Sequence, residues 1–346
     1  MHEYLRVLSR GERVRGETLE EAVKALMTSA CSEAEIAAFL MGMNHPSHQA
    51  DEEDLYVISE TIRKASSHKL ADIHGAMDNC GTGGDHSNSF NISTAAAFLL
   101  ASAGIKMAKN GNRNMTSRSG SMDVLQSLGI NTLNDEAEAR RQLEEHNLVF
   151  LNAGHIHPGL KNVAAVRKQL KIPTVFNVIG PLTNPVPLDY QVVGIYDESL
   201  LEVYGRTLVK AGRKRAAVIH GAGGMDEASL SGDNVIVLID RGSMRRIHLH
   251  PEQVGLPVIA NEALKGGGPK ENAEILIHLL KGERSAYRDA VLLNAAIGLY
   301  VAEKAASFAE GIHVAGKLID SGETLRKYEA LKQYGTRMEE DECQII

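Results

Sequence analysis

A chain of 346 residues, 43% hydrophobic and 23% charged, has the proportions of an ordinary globule and the length for one large or two modest domains with a real core. Its net charge of -7 argues against a general binder of nucleic acid or anionic membrane, and zero Trp with 4% aromatics argues against a single-strand binder that stacks bases. No apolar run approaches the roughly 18 residues of a membrane span. Cys31, Cys80 and Cys343 are scattered without metal-like spacing, so a reduced, cytoplasmic location with no membrane partner is expected.

Residues 1–71 read as helices only, a small N-terminal helical domain. The opening MHEYLRVLSRGERVRG lacks the apolar core of a signal peptide. Thr18 with Glu21, and Ser32 with Glu35, fit capping boxes. Ile36, Phe39, Leu40 and Met43 recur on one helical face, which His45-Pro46 terminates. Asp51-Glu52-Glu53-Asp54 place favourable acid in the first turn of the next helix, whose stripe continues through Leu55, Ile58 and Ile62. His45 and His48 read as solvated turn residues. No chemistry is visible here, and the surplus apolar surface predicts a subunit contact.

From Met77 the pattern changes to short apolar runs alternating with helical segments, an α/β arrangement. Gly81-Thr82-Gly83-Gly84-Asp85 brings three glycines into four positions, where exposed amides can form an anion nest. Asn91-Ile92-Ser93-Thr94 then opens an apolar helix whose N-terminus favours phosphate. The second loop, Lys109-Asn110-Gly111-Asn112-Arg113, adds two cations and leads to Ser117, Ser119, Gly120 and Ser121. Ordinary Gly/Ser turns are the plain alternative. Two polar loops flanking one buried helix, with Lys109 and Arg113 on the second, favour a site for more than one phosphate. It is not a Walker loop, and His86 stands where a dinucleotide fingerprint needs its third Gly.

Residues 105–108 read as a strand, 123–128 as a helix stopped by Gly129, 136–145 as a solvated charged helix and 148–151 as the next strand. His155 and His157 lack a third ligand at a matching spacing, which disfavours zinc. Arg167 reads as a surface helical residue from spacing alone. The Pro- and Gly-rich stretch 174–185 suits a hinge or linker. Strands at 191–196 and 216–219 flank a helix at 200–211. Asp226-Glu227 then follow on the Gly-rich loop His220-Gly221-Ala222-Gly223-Gly224. Adjacent carboxylates there suit Mg²⁺ or a capped turn, and spacing leaves both open. A strand at 234–239 and the loop Gly266-Gly267-Gly268 precede helices over 271–331 that cover the sheet, and the polar tail 337–346 is expected to fray.

These motifs resemble those of the anthranilate phosphoribosyltransferase family, class III phosphoribosyltransferases with a nucleoside-phosphorylase-like fold. That family reads roughly GTGGD, FNIST, KHGNR and S-x-SGSAD, against residues 81–85, 90–94, 109–113 and 117–123 here. His157-Pro158-Gly159-Leu160-Lys161, Val166-Arg167, the 174–185 stretch, Asp226-Glu227 and Gly266–Ala273 extend the resemblance over essentially the whole chain. It implies an N-terminal helical domain, 1–71, joined in space by a segment near 160–190. It also implies an α/β phosphoribosyl-diphosphate-binding domain, 72–346, with a mostly parallel central sheet.

The implied activity is transfer of a phosphoribosyl group to anthranilate by a Mg²⁺-dependent homodimer without a covalent nucleophile. Gly81, Gly84, Asp85, Ser89, Asn91, Ser93, Thr94, Lys109 and Ser121 would contact phosphoribosyl diphosphate. Gly81, Asn112 and Arg167 would hold anthranilate, and Ser93, Asp226 and Glu227 would serve the metal. The chain departs from the pattern at Asn110 (His in the family), Met122 (Ala), Thr116 (Ser), His86 (Gly), Pro173 (Arg) and Gly223 (Asp). Those changes lie toward the acceptor more than the donor. A relative using another aromatic acceptor, or a non-catalytic nucleic-acid-binding relative, are the competing readings. A pyrimidine nucleoside phosphorylase shares the fold, but its own phosphate motif is not evident.

Overall fold

The computed structural model describes the chain except for Ser29, Pro46, Ser47, Lys69, Ala71 and residues 113–118, 133, 134, 345 and 346, and except for the side chains of 336–344. Arg113, Thr116 and Ser117 therefore lie outside the described residues.

Four helices lead: α1 (His2–Ser9), α2 (Gly16–Leu26), α3 (Glu33–Met43) and α4 (Glu52–Lys64). Ser32 and Glu35 form the expected capping box on α3, and Asp51 accepts from the amides of Glu53 and Asp54 on α4. Thr18 and Glu21 do not cap. Gly16, at φ +56°, turns the chain into α2 two residues earlier, so Thr18 is already inside the helix. His48 is not solvated but buried beside Asp54 and Arg13, and burial pushes its pKa down.

The α/β part runs β1 (Ala76–Gly81), α5 (Ile92–Ser102), β2 (Lys106–Gly111), α6 (Ser121–Ser127), α7 (Glu136–His146), β3 (Leu148–Asn152), α8 (Ala153–Ile156), α9 (Lys161–Leu170), α10 (Phe176–Ile179), β4 (Leu188–Gly194), α11 (Leu201–Lys210), β5 (Arg215–His220), β6 (Asn234–Asp240), β7 (Ser243–Leu249), α12 (Pro269–Leu280), α13 (Ala286–Val301), α14 (Phe308–Asp320) and α15 (Glu323–Gln344). The tail expected to fray continues α15 to Gln344. Stretch 174–185 contains α10 and is mostly buried. Tyr204 Oη donates to the Val178 carbonyl at 2.9 Å, and Gln191 Nε2 to that of Pro181 at 2.6 Å.

The seven strands lie in the order β3-β2-β1-β4-β5-β6-β7. The pairings from β3 through β5 are parallel, and β6 and β7 add antiparallel. Alternation along each strand feeds two cores. Met77, Val192, Ala217 and Ile219 pack beneath α5 and α13 on one face. Val193, Ala216 and Val218 face α11 and the N-terminal helices, whose core also takes in Val163, Val166, Phe176 and Val178. Strand β7, SMRRIHL, escaped the sequence reading because its polar residues are exposed along the sheet edge. The order reverses between β1, which leads outward to β2 and β3, and β4, which leads the other way. In a parallel sheet that switch opens a crevice at the strands' C-terminal ends.

Candidate active site

One pocket of about 340 Å³ occupies that crevice. Gly81, Gly84, Asp85, Ser89, Asn91, Ser93, Thr94, Lys109, Asn112, Ser121, Arg167, Asp226 and Glu227 all line it, so the sequence-expected residues that are described come together.

The glycine loop begins as β1 ends. The Thr82 amide donates to the Gly194 carbonyl at 2.9 Å, and Gly83 and Gly84 take φ of +72° and +89°, the left-handed turn that lets successive amides converge. His86 follows at φ +56°, a conformation that favours Gly. The loop is clasped from behind. The Gly266 amide donates to the Asn88 carbonyl and that of Phe90 to Leu264, while Asn272 Nδ2 donates to Asn91 Oδ1 at 3.0 Å. Asn91 then starts α5 without a side-chain cap.

Lys109 and Asn110 belong to β2, not to a loop as the sequence reading had them. Lys109 Nζ donates to the Asn79 carbonyl, and Asn79 Nδ2 to the Ser93 carbonyl at 2.8 Å, which ties the ammonium to the start of α5. Beneath it Asp78 is fully buried. It accepts from Asn184 Nδ2 at 2.9 Å, and burial raises its pKa. Asn110 is 7% exposed, and its Oδ1 has no hydrogen-bond partner in the pocket wall.

Asp226 and Glu227 reach the pocket from a turn closed by the Gly221 amide on the Met225 carbonyl at 2.8 Å. Asn294 on α13 holds the next residue, bonding both the amide and the carbonyl of Ala228 at 2.9 Å. Asp226 Oδ2 accepts from the Gly83 amide at 2.6 Å, and Glu227 Oε1 from the Ser93 amide at 3.2 Å. Burial, then the charges of Asp85 and Glu227, push the Asp226 pKa well up, and burial pushes Glu227 up to about 7. Among the described residues no three His, Cys, Asp or Glu side chains enclose a metal by themselves.

Across the pocket Arg167 donates Nη2 to Asn177 Oδ1 at 3.1 Å, and its Nε has no hydrogen-bond partner. Burial lowers its pKa, and no carboxylate pairs with it among the described residues. It is a half-buried pocket-lining guanidinium rather than the surface residue its spacing implied. His157 is a packed core residue, its Nε2 at 2.9 Å from the Thr183 carbonyl and its pKa pushed down to about 4 by burial. Asn177 lines the pocket, and Asp78, Asn79 and Asn184 brace it from behind, a role their sequence positions do not signal. Asn177 and Asn184 lay within the 174–185 motif, whose pocket-lining part could have been suspected from its polar residues.

The family model for the a/b domain of a glycosyl transferase family matches residues 74–325. The anthranilate phosphoribosyltransferase of Exiguobacterium sibiricum is 46% identical over 343 residues, 99% of each chain. That of Oceanobacillus iheyensis is 44% identical over 324 residues, 94% of this chain and 95% of the other. Among solved structures, anthranilate phosphoribosyltransferase from Thermus thermophilus superposes with a TM-score of 0.89 at 35% identity, covering 96% of this chain and 99% of that one. The Saccharomyces cerevisiae enzyme, in complex with PRPP and Mg, gives 0.88 at 26% identity, covering 97% of both chains.

Proposed function

The chain belongs to the anthranilate phosphoribosyltransferase family, and on that premise we propose that its pocket transfers the phosphoribosyl group of phosphoribosyl diphosphate to the amine of anthranilate. The observation that carries this reading is the Asp226-Glu227 turn folded onto the Gly81–Asp85 loop, with buried Lys109 beside it and the carboxylate-free Arg167 opposite.

Gly81, Gly84, Asp85, Ser89, Asn91, Ser93, Thr94, Lys109 and Ser121 take the donor. Backbone amides, hydroxyls and one ammonium are the groups that neutralise a dense anion without a reactive nucleophile. Asp226, Glu227 and the Ser93 hydroxyl would hold Mg²⁺, an all-oxygen set with few carboxylates of the kind that ion prefers. Mg²⁺ bound there supplies charge neutralisation of the leaving diphosphate.

The bond between the ribose anomeric carbon and the diphosphate oxygen breaks. The anthranilate nitrogen forms the new bond to that carbon and sheds one proton. Lys109 and the amides meet the negative charge that grows on the leaving group. Arg167 grips the anthranilate carboxylate through its fork of donors, with Asn112 and Gly81 alongside, and so aims the amine at the carbon.

Residues 1–71 form the helical domain, completed by the segment near 160–190 that shares its core, and 72–346 form the donor-binding domain. The chain works in the cytoplasm as a homodimer joined through the N-terminal helices. In support, α1 buries none of its own residues and Met41 on α3 is 50% exposed. A monomer mass by light scattering would remove that part of the reading. Among the described residues no helix is long and apolar enough to cross a membrane. Incubation with phosphoribosyl diphosphate, Mg²⁺ and anthranilate tests the activity. Anthranilate fluorescence should fall as diphosphate appears, and an unchanged signal with no diphosphate overturns the assignment.

A further inference from the structure

A second cavity, of about 280 Å³, opens between the end of α13 and the antiparallel strands β5, β6 and β7. It lies at the start of β5, whereas the Asp226 turn follows that strand's other end. Leu238, Val301 and the Tyr300 ring give it apolar walls, and Ser243, Arg215 and Arg245 bring polar groups to it.

Arg215 is 9% exposed and stacks on Tyr300, its guanidinium carbon 4.8 Å from the ring centroid. Its Nη1 is 3.6 Å from Glu303, and its Nε is 3.8 Å from Asp240, too far for a hydrogen bond, so that buried N–H has no acceptor. Both carboxylates are committed elsewhere, each held by Arg241 at 2.9 Å. Arg245 donates to the Tyr300 hydroxyl at 3.0 Å, and among the described residues no carboxylate pairs with it. Arg215 and Arg241 therefore share two carboxylates while Arg245 has none among the described residues, in a chain whose net charge is -7. The surplus cation stands beside an apolar wall.

We propose that this cavity is a second small-molecule site, for a monocarboxylate with an aromatic or branched apolar body. The carboxylate meets Arg245, with the Ser243 hydroxyl and the unsatisfied Arg215 Nε as further donors. The body lies on Leu238, Val301 and Tyr300. Asp240 and Glu303 repel more highly charged anions, which separates this ligand class from the phosphorylated donor of the main pocket. The volume is close to the ~300 Å³ at which small-ligand pockets begin.

Benzoate is the probe, titrated calorimetrically into wild type, Arg167→Gln, Arg245→Gln and the double variant. Arg167→Gln removes the acceptor-side anchor and should retain one benzoate site per chain. Adding Arg245→Gln should then weaken that site by at least about tenfold, the loss expected for a charged hydrogen bond. Arg245→Gln alone should leave the transfer rate unchanged. The proposal is overturned if Arg167→Gln binds no benzoate, or if the double variant binds it as Arg167→Gln does. Inorganic phosphate binding to Arg167→Gln as tightly as benzoate also overturns it.

Discussion

Gly194 and Asp226 compete for the same space at the C-terminal edge of the sheet: a β-carbon on Gly194 would stand 1.6 Å from the Asp226 carbonyl oxygen. On the paired strand position, Gly81, a β-carbon would stand 2.0 Å from the Asp226 carboxylate. Both glycines are therefore absences of side chain that seat one turn. Gly194→Ala should push the Asp226 turn outward, costing about 1–3 kcal/mol of stability through overpacking. Turnover should fall on the order of 100-fold from misplacement of the carboxylates. Denaturant unfolding together with steady-state kinetics checks both, and wild-type values for the pair would refute the packing argument.

His86 carries a backbone cost that the sequence comparison anticipated without explaining. The family has Gly at this place, and here the residue sits at φ +56°. A left-handed non-glycine residue costs roughly 1–2 kcal/mol, while glycine gives back about 0.5–1 kcal/mol in chain entropy. His86→Gly should therefore stabilise the protein by up to about 1.5 kcal/mol without loss of turnover. A lower denaturation midpoint in the variant would show that the imidazole makes a contact worth more than the strain.

Much of the site was legible because its chemistry is local in sequence. Gly83 and Gly84 announce a turn wherever they occur, and Asp226-Glu227 are adjacent. What was not legible depends on register and distance. Lys109 and Asn110 look like loop residues by composition, yet they extend β2 because its pairing with β3 runs to Gly111. Arg167 looks like a surface residue until α9 packs on α3 and turns its guanidinium toward Asn177. His48 looks solvated because nothing in its neighbours reveals the Arg13–Asp54 pair it covers. Strand β7 alternates only at its end, Ile247 and Leu249 about His248, and its first four residues, Ser243 to Arg246, are exposed or half-buried.

The raised carboxyls give the metal-free protein a distinct pH response. Burial pushes the Glu227 carboxyl up to about 7 in the folded chain against an ordinary 4.5, so its proton is favoured by folding. The stability it contributes is fully present below pH 4.5 and is lost as the pH rises through about 7. His157 works in the opposite sense between about 4 and 6.5, because burial favours its neutral form. The difference between wild type and Glu227→Gln reports this carboxyl together with the relief of its charge on Asp226. Without Mg²⁺, the variant should gain stability relative to wild type as the pH rises through that window. A pH-independent difference by denaturant unfolding would contradict the assignment.

Asn110 lies in the pocket wall at a departure from the family pattern, and we propose that acceptor preference turns on it. It replaces an imidazole with a smaller amide, and its buried Oδ1 finds no partner in the free protein. Asn110→His should improve packing against a planar ring and raise kcat/KM for anthranilate by roughly 10- to 200-fold, the range for about 1–3 kcal/mol of discrimination. The KM for phosphoribosyl diphosphate should move little, since the donor contacts lie on other residues. A change below about twofold for both substrates would show the substitution to be neutral.

On the proposed function, the Asp226-Glu227 turn makes this pocket a metal-assisted diphosphate site. Calorimetric titration of phosphoribosyl diphosphate, with Mg²⁺ and with excess EDTA, tests it in wild type and Asp226→Asn. Wild type should bind the donor at least about tenfold more tightly with Mg²⁺, a difference of ~1.4 kcal/mol. Asp226→Asn should lose that enhancement while keeping the affinity measured in EDTA. Equal wild-type affinity with and without the metal, or full enhancement in Asp226→Asn, would contradict the account.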